Sequence, residues 1–116
     1  MKLNINITEF EPLVTPVVRP DQIIAYVVWI FHTSAGDIKI TGCTLRRKTF
    51  EESKTTVISF EPPAIRGKLK FFKTLYIGNP DLYKQLCQYT KKKYCELTGE
   101  PDEDYEESIS PEDIPL

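Results

Sequence analysis

Residues 23–32 read IIAYVVWIFH, a run in which β-branched and aromatic side chains occupy both alternate faces. Such a run is typical of a central β-strand that is covered on two sides. It is about half as long as a membrane-spanning helix requires, so we expect a soluble protein without a membrane segment. The stretch therefore predicts a sheet with this strand at its centre.

The residues around this strand predict further strands. Before it, residues 3–10 alternate apolar and polar side chains, which indicates a half-buried strand. Pro12, Pro16 and Pro20 follow, and they indicate a loop or irregular edge over residues 11–21. The remaining predicted strands are 38–48, 55–60 and 68–77, separated by a turn at 34–37, a polar connection at 49–54 and a proline-containing loop at 62–67.

The strand over 38–48 contains a change of phase. Ile38 and Ile40 share one face, whereas the next apolar residues, Cys43 and Leu45, are one step out of register. Gly42 lies at the slip, where a β-bulge can absorb the extra residue. With the bulge, one outer face carries a polar and basic stripe made of Lys39, Thr41, Thr44, Arg46 and Lys48.

A helix is predicted after the strands. Asn79-Pro80-Asp81 supplies an N-cap, a proline in the first turn and an early acid, and Gly99 is a natural stop. The apolar residues of one face are Tyr83, Leu86, Cys87, Tyr94 and Leu97. The order predicts a β-rich α+β fold: a five-stranded antiparallel sheet, curved into a barrel or half-barrel, followed by a C-terminal helix.

Charge divides the chain into two parts. Residues 1–96 hold fifteen bases against nine acids, a net of +6, whereas residues 97–116 hold eight acids and no base. We expect residues 1–98 to form a globular body and residues 99–116 to form a disordered acidic tail with an apolar tip. A basic body is suited to a polyanionic partner.

The last predicted strand combines cations with rings. Lys68, Lys70, Phe72 and Tyr76 alternate along one face, as a single-stranded nucleic acid requires for its phosphates and unpaired bases. The odd positions, including Leu69 and Phe71, read as core. Further cations on neighbouring segments are Lys39, Arg46, Arg47, Lys48 and Arg66. The alternative is that Phe72 and Tyr76 pack beneath the helix, and Trp29 is expected in the core.

Little in the sequence suggests an enzyme. His32, the only histidine, has no nucleophile at a telling spacing, although a pair with Cys43 is conceivable. The five glycines are too scattered for a phosphate-binding loop. An odd number of cysteines without a CxxC pair indicates reduced thiols and no zinc site. We therefore expect no catalytic residue, no metal and no cofactor, in a cytoplasmic protein.

The end of the chain resembles a known motif. Glu112-Asp113-Ile114-Pro115-Leu116 is similar to the C-terminal tip of bacterial single-stranded DNA-binding proteins, which end in acids followed by Asp-Ile-Pro-Phe. Leu116 departs from that pattern. The resemblance implies that Asp113, Ile114, Pro115 and Leu116 dock into replication and recombination proteins.

The body resembles the small single-stranded DNA-binding proteins of bacteriophages, some of which use variants of the oligonucleotide-binding (OB) barrel. An ordinary OB fold has its helix between the third and fourth strands, whereas the helix predicted here comes last. Strands followed by a helix also resemble small dimeric single-strand binders and the stage V sporulation protein G family, which would be a swapped dimer.

These observations predict a function. We expect non-sequence-specific binding of single-stranded DNA in phage or bacterial replication or recombination, by a homodimer or larger assembly. The acidic tail would compete with DNA and recruit partners, in the host cytoplasm if the protein is phage-encoded. The alternative is a non-enzymatic regulatory or adaptor protein that binds a protein partner or duplex nucleic acid.

Overall fold

The computed structural model describes residues 1–53 and 55–100. Its elements, in chain order, are β1 (Ile7–Pro16), β2 (Ile23–Thr33), β3 (Gly36–Phe50), β4 (Thr55–Glu61), β5 (Ala64–Arg66), β6 (Phe71–Lys73) and α1 (Pro80–Thr98). Within these two ranges, no helix combines the length and the apolar character needed to cross a membrane.

The first four strands form one antiparallel sheet in the order β1-β2-β3-β4, curled into a half-barrel, and α1 packs across its inner face. The predicted arrangement of curved antiparallel strands followed by a helix is confirmed. The predicted fifth strand over 68–77 is wrong: only Phe71–Lys73 is extended, and it pairs with β5 in a separate two-stranded hairpin. The main sheet therefore has four strands.

The first strand begins and ends later than predicted. β1 continues through Pro12 and Pro16, which lie opposite Trp29 and Ala25 of β2, so of the two alternatives for residues 11–21 the loop is wrong for residues 11–16 and the edge is the one observed there. Proline is tolerated there because β1 is an edge strand, and an edge can leave one side of its backbone unpaired. Residues 1–6 precede the strand and belong to no regular element.

The bulge predicted at Gly42 is confirmed. Between the pairs Val27↔Cys43 and Trp29↔Ile40, the register advances two residues on β2 and three on β3. Gly42 takes a φ of 82°, in the left-handed region that side chains other than glycine rarely adopt. The bulge lets the apolar residues on both sides of it face the helix.

The core lies between the inner face of the sheet and α1. Trp29 is fully buried, as predicted, and stacks on Phe60 with ring centroids 4.4 Å apart. Its indole Nε1–H donates to Thr90 Oγ1 of the helix at 2.9 Å. Four of the five predicted helix-face residues, all except Leu97, are buried.

The helix has the predicted ends. The Asn79 side chain accepts a hydrogen bond from the N–H of Leu82 at 3.1 Å, and Gly99 closes the helix in the left-handed conformation. Lys91 is buried within the fold, although lysine side chains are mostly exposed in proteins. The helix therefore begins and ends where local capping signals place it, whereas the burial of one lysine does not follow from them.

We predict that Gly42→Ala destabilises the fold by about 1–2 kcal/mol, because the methyl group would be forced into left-handed backbone. Gly78→Ala is the matched control, since Gly78 has no positive φ and its added methyl would have its nearest neighbour 3.7 Å away. We expect the control to stay within about 0.5 kcal/mol of the wild type. Urea unfolding followed by Trp29 fluorescence measures both, and equal stability of the two variants would contradict the role of the bulge.

Candidate nucleic-acid interface

The β5–β6 hairpin and the residues that follow it form an exposed arm, residues 64–76, which we call the hairpin arm. Gly67 N–H donates to Lys70 O at 2.8 Å and closes the turn, and Thr74 N–H donates to Pro63 O at 2.8 Å and closes the base. The arm lies outside the four-stranded sheet. The three cations of the arm that were predicted to meet phosphates, Arg66, Lys68 and Lys70, are all exposed.

Both predicted stacking rings are accessible. Phe72 is 49% exposed and Tyr76 is 66% exposed, so the alternative that they pack beneath the helix is wrong. The Phe72 ring lies against Gly67, where an added Cβ would come within 2.4 Å of it. Lys70 Nζ lies 5.3 Å from the centre of the same ring, in a cation–π arrangement. The arm thus presents a ring and a cation as one unit.

Two residues of the arm that read as core in the sequence are on the surface. Leu69 is 99% exposed and Phe71 is 68% exposed, whereas Leu75 and Ile77 pack against the core as expected. Phe71 adds a third accessible ring that the sequence pattern did not identify. The sequence signal for its exposure is the adjacent ring of Phe72. Consecutive strand residues point to opposite faces, so a three-residue strand outside the main sheet cannot bury both rings.

Phe71 closes a groove with the outer face of β3, which we call the β3 groove. Its volume is about 430 Å³, and its lining residues are Gln22, Gly42, Thr44, Arg46, Lys48, Glu61, Pro62, Ala64 and Phe71. Three members of the predicted outer stripe, Thr44, Arg46 and Lys48, meet here. Glu61 holds Lys48 through an ion pair of 2.8 Å. A flat ring, an arginine and a lysine therefore line one groove.

Arg47 does not join this groove. It lies on the inner side of β3, where its guanidinium donates to both carboxylate oxygens of Glu100 at 2.6 and 2.7 Å. The hydroxyl of Tyr94 donates to the same carboxylate at 3.4 Å. Hydrogen bonding to Glu100 raises the pKa of the Arg47 guanidinium, which stays charged. Arg47 therefore anchors the end of the helix, and its position on the inner side separates it from the other cations predicted to bind nucleic acid.

Lys39 is also separated from the groove. It is exposed on the outer face of β3, seven residues before Arg46, which corresponds to about 20 Å of strand. Asp37 lies two residues away on the same strand and the same face. The outer face therefore carries its cations in two places.

An acidic cluster surrounds His32 at the same end of the outer face. His32 Nε2 lies 2.8 Å from Glu11 Oε1, and Nδ1 lies 2.7 Å from Asp37 Oδ1. Bonding first to Glu11 and then to Asp37 raises the pKa of His32 above 6.5. Glu9 completes a set with Glu11 and His32 whose ligand atoms lie within 4.8 Å of one another, close enough to hold a cation. The outer face is thus acidic at one end and basic at the other.

The conceivable nucleophile and base are not brought together. Cys43 is buried in the core on the inner face, whereas His32 points to the outer face. Burial raises the pKa of the Cys43 thiol to about 12, which disfavours a reactive thiolate.

No protein-family model, curated protein or solved structure matches the chain. The predicted partner-binding tip, Asp113, Ile114, Pro115 and Leu116, lies outside the described residues, as does most of the acidic tail.

We predict that His32 makes stability depend on pH. Because its pKa is raised in the folded state, its stabilising effect is complete below pH 6.5 and is lost as the pH rises through the folded-state value. The urea midpoint of the wild type should therefore fall as the pH increases above about 6.5. His32→Gln should remove this component, and an equally steep decline in that variant would contradict the assignment.

Proposed function

We propose that the protein binds single-stranded DNA without sequence preference, through the β3 groove and the hairpin arm. The observation that carries the proposal is the meeting of Phe71 with Arg46 and Lys48 in one groove, with a second accessible ring, Phe72, on the other face of the same short strand. Rings stack on unpaired bases while cations neutralise the phosphates between them. The volume of the groove falls in the range of small-ligand sites, which suits one nucleotide at a time.

The exposed rings favour a single strand over a duplex. Base-on-ring stacking contributes about 1–3 kcal/mol per base and requires a base whose flat face is free. In a duplex that face is covered by neighbouring base pairs, so Phe71, Phe72 and Tyr76 would find no partner there. The cations alone would still attract duplex DNA, but more weakly.

The position of Glu100, near the start of the acidic tail, supports competition between the tail and DNA. Glu100 is fixed by Arg47 at the end of the helix, and sixteen residues follow it. An extended chain of that length reaches about 50 Å, comparable with the 50 Å longest dimension of the protein. The tail can therefore reach the β3 groove, where its acids would compete with phosphates. Its tip, Asp113 to Leu116, would recruit replication and recombination proteins when DNA displaces the tail.

One observation favours the alternative of a protein-binding adaptor. Leu69 and Ile65 are exposed aliphatic side chains on the hairpin arm, and they cannot stack on bases as rings do. Exposed apolar residues of this kind also suit a protein partner. Binding measurements on the rings and on these aliphatic residues distinguish the two functions.

We predict that Phe71→Ala and Phe72→Ala each weaken binding of oligo-dT by about 5- to 150-fold, the equivalent of about 1–3 kcal/mol of stacking. Leu82→Ala is the control, because Leu82 is an exposed apolar residue on the helix that does not line the groove. Fluorescence anisotropy of labelled oligo-dT measures all three. No binding by the wild type, or equal affinity of the three variants, would exclude the proposed interface.

We predict that the same binding weakens linearly with log salt concentration, with a slope of about −0.7 per phosphate contacted. Arg46→Gln should reduce the slope by about 0.7, because one phosphate contact is lost. Arg47→Gln is the matched control, since Arg47 is paired with Glu100 on the inner face. A reduced slope in Arg47→Gln together with an unchanged slope in Arg46→Gln would contradict the proposal, because the phosphate contact would then lie on the inner face of the sheet.

We predict that truncation after Glu100 tightens DNA binding at low salt and has little effect near 1 M salt, where screening extends only about 3 Å. This end point keeps the Arg47–Glu100 pair and the Gly99 cap while removing seven acids. A chain of full length with those acids changed to Asn or Gln controls for length. Unchanged affinity in both proteins would restrict the tail to partner binding.

A further inference from the structure

A second groove runs along the free edge of β1, and we call it the edge groove. Its volume is about 520 Å³, and its walls are residues 9–14 of β1 and the helix residues Tyr89, Lys93 and Leu97. Phe10, Pro12 and Val14 face the helix, while the backbone of the edge strand is open on its other side. The groove thus fits an extended segment of about six residues with apolar side chains on one face.

The chain carries such a segment in residues 1–6, which we call the leading arm. It is exposed throughout, and Leu3 and Ile5 are among the largest exposed apolar side chains. Asn6 is held to the β2–β3 turn, because its N–H donates to Ser34 Oγ at 3.1 Å and its carbonyl accepts from Ser34 N–H at 2.9 Å. The arm therefore leaves the sheet beside the β2–β3 turn, before the first residue of β1.

A bulge at Thr8 sets the face of the arm. Between the pairs Ile7↔Thr33 and Glu9↔His32, β1 advances two residues while β2 advances one. Ile7 therefore lies on the same side of the sheet as Phe10, despite their odd separation. If the arm extends β1 as a strand on pairing, alternation places Leu3 and Ile5 on that same inner side. Without the bulge, the apolar residues of the arm would face the outer surface.

We propose that two copies of the chain pair their β1 edges around a two-fold axis, with each leading arm in the edge groove of the other copy. Antiparallel pairing centred between residues 8 and 9 places three apolar side chains of the arm opposite three of the groove, on the same face. The three pairs are Ile7 with Phe10, Ile5 with Pro12, and Leu3 with Val14. The contact is isologous, so both grooves are filled and the assembly closes as a dimer.

Charge favours the leading arm over the acidic tail as the occupant. The groove is lined by Glu9 and Glu11 against a single cation, Lys93. Residues 1–8 contain Lys2 and no acid, whereas residues 101–116 contain seven acids. Like charges at close range are repulsive, so the tail is disfavoured in a groove with this lining. A chain cannot fill its own groove with its own arm, because arm and edge belong to one continuous strand.

The prolines of β1 restrict which strand can pair with this edge. Pro12 and Pro16 have no N–H to donate, which weakens the edge as a template for any passing strand. Side-chain packing must then supply the binding free energy that the missing backbone hydrogen bonds do not. The leading arm offers that packing, because the spacing of its apolar residues matches that of the groove. The edge therefore favours this dimer over open-ended aggregation.

Sedimentation equilibrium without DNA tests the proposal independently of any DNA binding. We expect a wild-type mass near twice 13.4 kDa at micromolar concentration, and a monomer for Ile5→Asp, whose charge would enter the apolar groove. Asn4→Asp is the matched control, because it adds the same charge to the opposite face of the arm and should leave the dimer intact. A monomeric wild type at 100 µM, or an Ile5→Asp dimer as stable as the wild type, would overturn the proposal.

Disulfide trapping tests the register. Ile5→Cys combined with Pro12→Cys should give a covalent dimer on a non-reducing gel, since the two positions face each other across the two-fold axis. Within one chain they are about 23 Å apart along the strand, too far for an internal bond. Asn4→Cys combined with Pro12→Cys should not cross-link, because those side chains lie on opposite faces. Equal cross-linking of both pairs, or none in the first, would refute the proposed pairing.

Discussion

The packing of the Trp29 indole unites the elements of the fold. Trp29 belongs to β2, stacks on Phe60 of β4, meets the edge of Phe10 of β1, and donates to Thr90 of the helix. A buried indole N–H without a partner would cost about 1–3 kcal/mol, so the helix must lie where its threonine can accept that bond. One side chain therefore fixes both the curl of the sheet and the position of α1.

Because the core occupies the inner face of the sheet, the outer face is available for charged side chains. On the inner face, Arg47 pairs with Glu100 at the end of the helix, where both side chains stay partly exposed. The cations of the alternate positions, Arg46 and Lys48, stay on the opposite side and meet Phe71 of the hairpin arm. The Gly42 bulge makes both outcomes compatible, since it keeps the apolar residues of β3 inward on either side of the slip.

Local patterns were sufficient for much of this fold. The run around Trp29, the phase slip at Gly42 and the caps at Asn79 and Gly99 are each decided by a few neighbouring residues, and each was predicted correctly.

The failures concern positions that depend on distant partners. Pro12 leaves a loop and an irregular edge both open until β1 is known to be an edge strand, and Phe71 reads as core until its strand is known to leave the main sheet. The distance between Lys39 and Arg46 along the strand follows from their separation in the sequence, whereas the grouping of acids around His32 does not. Those acids come from strands whose register had to be known first. In the proposed dimer, the two-fold axis near residues 8 and 9 brings these acidic ends together, and His32, when protonated, reduces their mutual repulsion. The two β3 grooves then lie at the far ends of a continuous outer face, with negative charge between them. Such a dimer would hold two segments of single strand apart instead of joining its grooves into one longer track.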